Sequence, residues 1–205
     1  MFSGERIFEL LGLRVIDSRV EELSPLRREL KLAFEQVNEF EAPLVRWIVL
    51  KTDRPTWRKT SHIVNQLGNG WIYLALALVT LALLGPRALR PDFTALTAVG
   101  VSYLVYFPLK RLLGRVRPCD WDPALGGSVK ALDIYSCPSG HCMTITAVGS
   151  VFSWVFPQVL PLAIGAIFVM GWTRLVLAHH YLSDLIVGAA IGATIAVVLC
   201  QFFLR

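Results

Sequence analysis

The chain has 205 residues, 55% of them hydrophobic and 17% charged, with a mean hydropathy of +0.56, whereas an ordinary soluble domain carries about 25% charged residues. That balance excludes an ordinary soluble domain, a disordered chain and a collagen-like repeat, and four cysteines are too few for a disulfide-dense scaffold. The formal charge of +5 and a pI near 9.2 point to cations that set membrane topology, meet anionic headgroups or hold a phosphate-bearing ligand, with no nucleic acid as partner.

Residues 1–60 are rich in Glu and Arg and contain no run long enough to span a bilayer. No positively charged start, apolar stretch and cleavage site open the chain, so no removable signal peptide is expected. Ser24-Pro25 predicts a helix start, with Ser as N-cap and Pro at the first helical position. After it, Leu26, Leu30, Phe34, Val37, Phe40, Leu44 and Trp47 recur at spacings of three and four and draw one apolar stripe. Arg28, Glu29, Lys31, Glu35 and Glu39 lie on the other side. Such a stripe packs on the protein's own bundle, lies in the lipid interface or makes a homodimer contact.

Four stretches lack Asp, Glu, Lys and Arg: 63–86, 93–109, 142–173 and 185–204. Crossing the hydrocarbon core takes roughly 20 helical residues, so the first, second and fourth each predict one span. The third is long enough for two, and Pro157 and Pro161 divide it into 139–156 and 159–178, because proline removes a backbone donor. The expected fold is all-α, an integral membrane helical bundle of about five spans. Residues 1–60 form an amphipathic, non-spanning segment before a membrane-embedded unit, 61–205.

Polar residues cluster at three places. KRLLGRVRP follows the second span and sets Lys110 and Arg117 seven residues, two helical turns, apart; such cations also suit a membrane flank. CPSGH precedes the third span, with Ser139 and Gly140 at a helix start and His141 beside it. A helix N-terminus is an anion site, and this one reads equally as a plain cap. TRLVLAHHYLSD lies between the last two spans and sets His180 and Asp184 four apart, so the carboxylate can accept from one imidazole nitrogen and leave the other nucleophilic. His179 fits that pairing less well. Arg174 converges on His180 only if the helix breaks near Ala178. Alternating helix directions place all three clusters on one membrane face. Cations, a helix N-terminus, histidines and a carboxylate together suit a phosphoryl group, which needs charge neutralisation, an in-line nucleophile and a proton for the leaving oxygen.

In these residues the chain resembles the type 2 phosphatidic acid phosphatase family, whose site is shared with vanadium haloperoxidases and glucose 6-phosphatase. The motifs are Lys110 with Arg117-Pro118, then Pro138-Ser139-Gly140-His141, then Thr173-Arg174 with His180 and Asp184. Every spacing matches over about 63–204, and Thr173 stands where the family has Ser. The resemblance implies a metal-independent phosphatase with no cofactor. In it, His180 attacks phosphorus to form a phosphohistidine and Asp184 fixes its tautomer. His141 protonates the leaving group and then activates water. Lys110, Arg117, Ser139, Gly140 and Arg174 bind the phosphate. It also implies a membrane lipid phosphate as substrate: undecaprenyl diphosphate, phosphatidic acid or phosphatidylglycerol phosphate. The expected location is a bacterial inner membrane, with the site facing the periplasm. A phosphotransferase of the same superfamily and a non-catalytic lipid-binding membrane protein are the competing functions. If the loop between Pro118 and Pro138 faces an oxidising compartment, a disulfide between Cys119 and Cys137 would tie its ends.

Overall fold

The computed structural model describes residues 25–125 and 133–205. Helix α1, Pro25–Lys51, begins at the expected proline, while Ser24 lies outside the described residues. The other helices are α2, Pro55–Leu67; α3, Trp71–Leu84; α4, Leu89–Leu113; α5, Pro118–Trp121; α6, Gly140–Val155; α7, Leu160–Val176; and α8, Leu182–Phe203.

By length and composition, three stretches can cross a membrane: Trp71–Leu113, Pro157–Val176 and Leu182–Phe203. Their outer faces are apolar and exposed, as at Leu83, Leu104, Leu162, Phe168, Val198 and Phe202. The chain is an integral membrane helical bundle. Within the first stretch, the short 3₁₀ turn Gly85–Ala88 folds α3 back along α4, and Thr80 Oγ1 donates to Asp92 Oδ1 at 2.7 Å across the hairpin. The stretch 142–173 is interrupted where the prolines predict: α6 ends at Val155, Pro157–Val159 forms a 3₁₀ turn, and α7 takes Pro161 in its first turn.

Two expectations change. The run 63–86 is not one helix, because α2 stops at Leu67 and Gly70, at φ 110°, redirects the chain into α3. A φ of that sign suits glycine, which has no Cβ to clash. The boundary expected after residue 60 therefore falls inside α2. Of the three placements open to the apolar stripe of α1, packing on the bundle holds only in part: Phe34 lies against Arg115. Asn38, Ala42, Val45 and Ile48 are buried, whereas Phe40, Leu44 and Trp47 are exposed, Phe40 at 87%. The helix packs on the core through Ala42, Val45 and Ile48 with Asn38 beside them, and turns Phe40 and Trp47 outward.

The site ends of the helices are set by α6 and α8. The buried face of α8 is Asp184, Gly188, Gly192, Ala196 and Cys200, a stripe of small residues that lets two backbones approach closely in a membrane. A Cβ on Gly188 would sit 2.5 Å from the Ser139 carbonyl oxygen, and one on Gly192 would strike that of Met143. Beyond this contact, Tyr73 OH and Thr144 Oγ1 share a buried hydrogen bond of 2.8 Å between α3 and α6. At the opposite end, the rings of Phe93 and Phe203 meet edge to face at 5.4 Å. The start of α4 therefore lies beside the end of α8, and the end of α4 lies toward the start of α8.

Gly188→Val forces the α6 and α8 backbones apart and should cost about 1–3 kcal/mol, seen as a lowered unfolding temperature in detergent micelles. Gly165→Ala meets open space on α7 and should stay within about 0.5 kcal/mol of the parent chain. Equal losses in the two variants would contradict the close α6–α8 contact.

Candidate functional site

Backbone pairing brings the polar clusters together. Gly114, left-handed at φ 60°, ends α4 and donates to the Lys110 carbonyl. The chain then runs extended through Val116, which bridges Tyr135 in antiparallel fashion, and Ser136 N–H donates to the Arg115 carbonyl at 2.8 Å. Ser139 N–H donates to the Asp184 carbonyl at 3.0 Å, which ties the start of α6 to α8. Beyond α7 the helix breaks at Ala178, left-handed at φ 52°, and the His179 N–H turns back to the Arg174 carbonyl at 3.1 Å. This break carries His179 and His180 out of the helical path that would have separated them from Arg174.

Lys110 Nζ lies 2.6 Å from Asp133 Oδ1 and 3.0 Å from Tyr106 OH. Arg117 Nη2 reaches the same Asp133 oxygen at 2.5 Å, while its Nη1 donates to the His179 carbonyl at 2.6 Å. Tyr106 OH donates to Asp133 Oδ2. Burial alone would raise the Asp133 carboxyl, but Lys110, Tyr106 and Arg117 outweigh it and hold the group below the usual carboxylate range. Asp133 is therefore an anion that two predicted clamp cations share. Arg174 is buried, and its Nε and Nη1 have no hydrogen-bond partner among the described residues; the same holds for Ser139 Oγ. Gly140 begins α6 beneath the Tyr106 ring, and a Cβ there would lie 2.7 Å from Tyr106 Cε2.

His180 is buried between Asp184 and Arg117. Its Nδ1 stands 3.5 Å from Asp184 Oδ2 and its Nε2 stands 3.5 Å from Arg117 Nη1. A guanidinium only donates and a carboxylate only accepts, so these neighbours favour a proton on Nδ1 and an unprotonated Nε2, although at 3.5 Å Nδ1 makes no hydrogen bond to Asp184. Burial, followed by the positive charges of Arg174, Arg117 and Lys110, pushes the His180 imidazole well below its ordinary value. It is neutral at neutral pH. His141 lies apart from this pair, its Nε2 at 3.2 Å from the Asn65 carbonyl and 2.9 Å from Asn69 Oδ1 at the end of α2.

The structure thus gathers Lys110, Arg117, His180 and Asp184 into one cluster, Lys110 and Arg117 joined through Asp133 and His180 standing 3.5 Å from both Arg117 and Asp184. Arg174 and Ser139 stand beside it with free polar atoms, and His141 is held by α2. Sequence reasoning missed Tyr106, Asp133, Arg115 and Glu41. Arg115 was visible as a third cation in KRLLGRVRP, whereas Glu41 gave no local signal. The disulfide expectation is corrected, since Cys119 and Cys137 are both free thiols. The Cys119 backbone is tied to the Ala178 carbonyl at 3.1 Å and its side chain packs on the core, while Cys137 is buried near Asp184. A site of this kind can hold a tetrahedral anion between cations and present an unprotonated imidazole nitrogen to it.

Comparison with known proteins agrees with the geometry. The profile of the PAP2 superfamily matches residues 92–205. Decaprenylphosphoryl-5-phosphoribose phosphatase of Mycobacterium tuberculosis is 33% identical over 149 residues, which is 71% of this chain and 80% of that protein. Lipid A 1-phosphatase of Rhizobium johnstonii is 33% identical over 105 residues, covering 47% of this chain and 41% of that one. Among solved structures, the transmembrane PAP2 type phosphatidylglycerolphosphate phosphatase of Bacillus subtilis superposes with a TM-score of 0.67 at 19% identity, over 87% of this chain and 96% of its own. LpxE of Aquifex aeolicus gives 0.62 at 18% identity, over 79% and 95%.

Because the Asp133 carboxylate engages two cations, a bound anion competes with it for their charge. Asp133→Asn should tighten binding of inorganic phosphate several-fold at neutral pH, measured by calorimetry. As pH falls through the depressed Asp133 pKa the parent carboxylate becomes neutral and the difference should shrink. An unchanged affinity at neutral pH would show that Asp133 does not compete.

Proposed function

We propose that this chain, which belongs to the PAP2 superfamily, hydrolyses a phosphate or diphosphate monoester of a membrane lipid through a phosphohistidine on His180. The observation that carries the reading is the convergence of Lys110, Arg117 and Arg174 on a buried, neutral His180 backed by Asp184, in a chain with apolar membrane-crossing stretches. His180 Nε2 attacks phosphorus and the bond to the leaving oxygen breaks. His141 gives that oxygen a proton. Water, deprotonated by His141, then attacks the phosphohistidine and frees phosphate. Lys110, Arg117, Arg174, the Ser139 hydroxyl and the Gly140 N–H meet the charge on the phosphoryl oxygens. The cations supply the neutralisation that a metal ion supplies elsewhere.

An apolar groove of about 720 Å³ supports a lipid as substrate. It runs between α2, α7 and α8, past Trp57, Phe168, Trp172 and Ile186, to Cys142 and Thr173 beside Arg174. Polyprenyl-linked phosphates come first among the candidates, because the relative aligned over most of its length acts on a decaprenyl-linked sugar phosphate. The bundle crosses the bilayer five times, through α3, α4, α6, α7 and α8. Helix α1 stays outside the hydrocarbon core, with Phe40 and Trp47 in the headgroup layer. The active end faces the periplasm of a bacterial inner membrane, and Arg87, Arg90 and Arg205 at the opposite end face the cytoplasm.

The purified chain should release phosphate, with no acceptor added, from at least one of a polyprenyl sugar phosphate, a polyprenyl diphosphate, phosphatidic acid or phosphatidylglycerol phosphate. His180→Ala should abolish release while the unfolding temperature holds, and His179→Ala should cost far less, because His180 is the histidine that stands beside the Asp184 carboxylate. A fully active His180→Ala enzyme would refute the phosphohistidine. For orientation, a cysteine replacing Arg87, in a background without other thiols, should react with an impermeant maleimide only after lysis. Labelling in intact cells would reverse the assignment.

A further inference from the structure

Arg115 belongs to none of the motif positions, yet it is among the most buried side chains of the described protein, 1% exposed. Its four hydrogen bonds all go to the protein. Nε donates to Asn38 Oδ1 at 2.8 Å, Nη1 to Ser183 Oγ and Asp184 Oδ1 at 2.6 Å each, and Nη2 to Glu41 Oε2 at 2.8 Å. The guanidinium is also stacked between the Phe34 and Tyr181 rings, at 5.1 and 4.1 Å. Arg117, two residues on, faces Asp133 and His180 instead. One arginine of the pair faces the phosphate pocket, and the other stands behind the nucleophile.

Glu41 makes a second grip. Its Oε1 accepts from Ser183 N–H at 2.8 Å and its Oε2 from Ser183 Oγ at 2.6 Å. A carboxylate from α1 thus caps the first turn of α8, the turn that carries Asp184, and helix N-termini favour such an anion. Glu41 and Asn38 lie outside the 92–205 segment shared with the superfamily.

We propose that Glu41 and Arg115 are positioning residues for catalysis: Glu41 fixes Arg115, and Arg115 fixes the Asp184 carboxylate that holds His180 in its nucleophilic tautomer. The inference rests on the phosphohistidine reading. Asp184 Oδ1 is taken by Arg115 and Oδ2 by the Tyr181 N–H at 2.9 Å, so the carboxylate plane cannot turn and Oδ2 faces His180 Nδ1. Stability alone is a poor account of the cluster, since buried ion pairs replaced by packed apolar residues are often neutral or more stable. The charge balance has a catalytic sense. As the nitrogen–phosphorus bond forms, His180 becomes cationic; Arg115 opposes that charge and Glu41 offsets Arg115, leaving Asp184 to meet it.

The other ionisable groups around His180 and Asp184 are Arg117, Arg174, Lys110, His179, Tyr181, Cys137 and Cys142. None of them is altered in the test. With purified full-length chain and the lipid phosphate it cleaves fastest, kcat and KM are measured against pH for Glu41→Gln, Arg115→Lys and Arg115→Met. Removing the cation in Arg115→Met favours proton uptake by the His180–Asp184 pair, so the acid limb of kcat moves up by about one unit or more. Removing the anion in Glu41→Gln leaves Arg115 unopposed and moves the limb down. Both lower kcat by about tenfold or more with KM within about twofold, and Arg115→Lys keeps the limb near that of the parent. Shifts of the same sign, or none, overturn the proposal. Glu41→Gln keeps the side-chain shape and decides alone should Arg115→Met fail to fold. Nitrogen-15 spectra of labelled histidine give a readout independent of turnover: His180 protonated on Nδ1 in the parent, with that tautomer titrating at a shifted pH in Glu41→Gln. An unshifted titration sinks the relay, whereas a parent chain that releases no phosphate sinks only the reading on which its catalytic meaning rests.

Discussion

A guanidinium buried without partners costs several kcal/mol, and the organisation of this bundle follows from how Arg115 avoids that cost. Its partners come from positions 38, 41, 183 and 184, which folding must bring to one point. Once they meet, α1 cannot slide along the bundle and the first turn of α8 cannot rotate, because Nε, Nη1 and Nη2 each donate to a fixed partner. The outward-facing apolar residues of α1 follow as well. The side of α1 that satisfies the guanidinium carries Asn38 and Glu41, and Phe40 and Trp47 on other sides are left exposed.

The remaining cations divide by the same rule. Lys110 and Arg117 share Asp133, whereas Arg174 keeps two nitrogens without a hydrogen-bond partner among the described residues. Charge concentrated this tightly would repel itself in a low-dielectric setting, and Asp133 screens it in the free protein. The carboxylate is carried on the segment pinned to Val116 and Arg115 by the short antiparallel bridge and the Ser136 hydrogen bond. The imidazole of His180 and the cation pair therefore each have an acidic residue beside them: Asp184 by the ring and Asp133 among the cations.

Much of this was legible because it is local. The i,i+4 spacing of His180 and Asp184 anticipates their proximity even though His180 precedes α8, prolines at 157 and 161 divide an apolar run, and a break near Ala178 was required to bring Arg174 and His180 together. What the sequence could not reveal is either long-range or carried by backbone conformation. Glu41 reaches Arg115 across 74 residues, and no periodicity encodes such a pair. The helix break at Gly70 depends on a positive φ hidden inside an uncharged run that hydropathy reads as continuous. The stripe on α1 was visible, but apolar periodicity identifies protein-facing sides only when water covers the other side; beside a bilayer either face can be apolar.

The small-residue stripe of α8 is the link between bundle and site. In lipid, helices gain little from excluding water and associate through close packing and polar contacts. Gly188 and Gly192 allow the α6 backbone to approach until Ser139 N–H reaches the Asp184 carbonyl at 3.0 Å. That bond uses the backbone of the same residue whose side chain holds His180. The start of α6 and the imidazole are thereby referenced to a single residue. A substitution far down α8 that widens the α6–α8 gap would disturb the phosphate geometry without touching any polar group of the site.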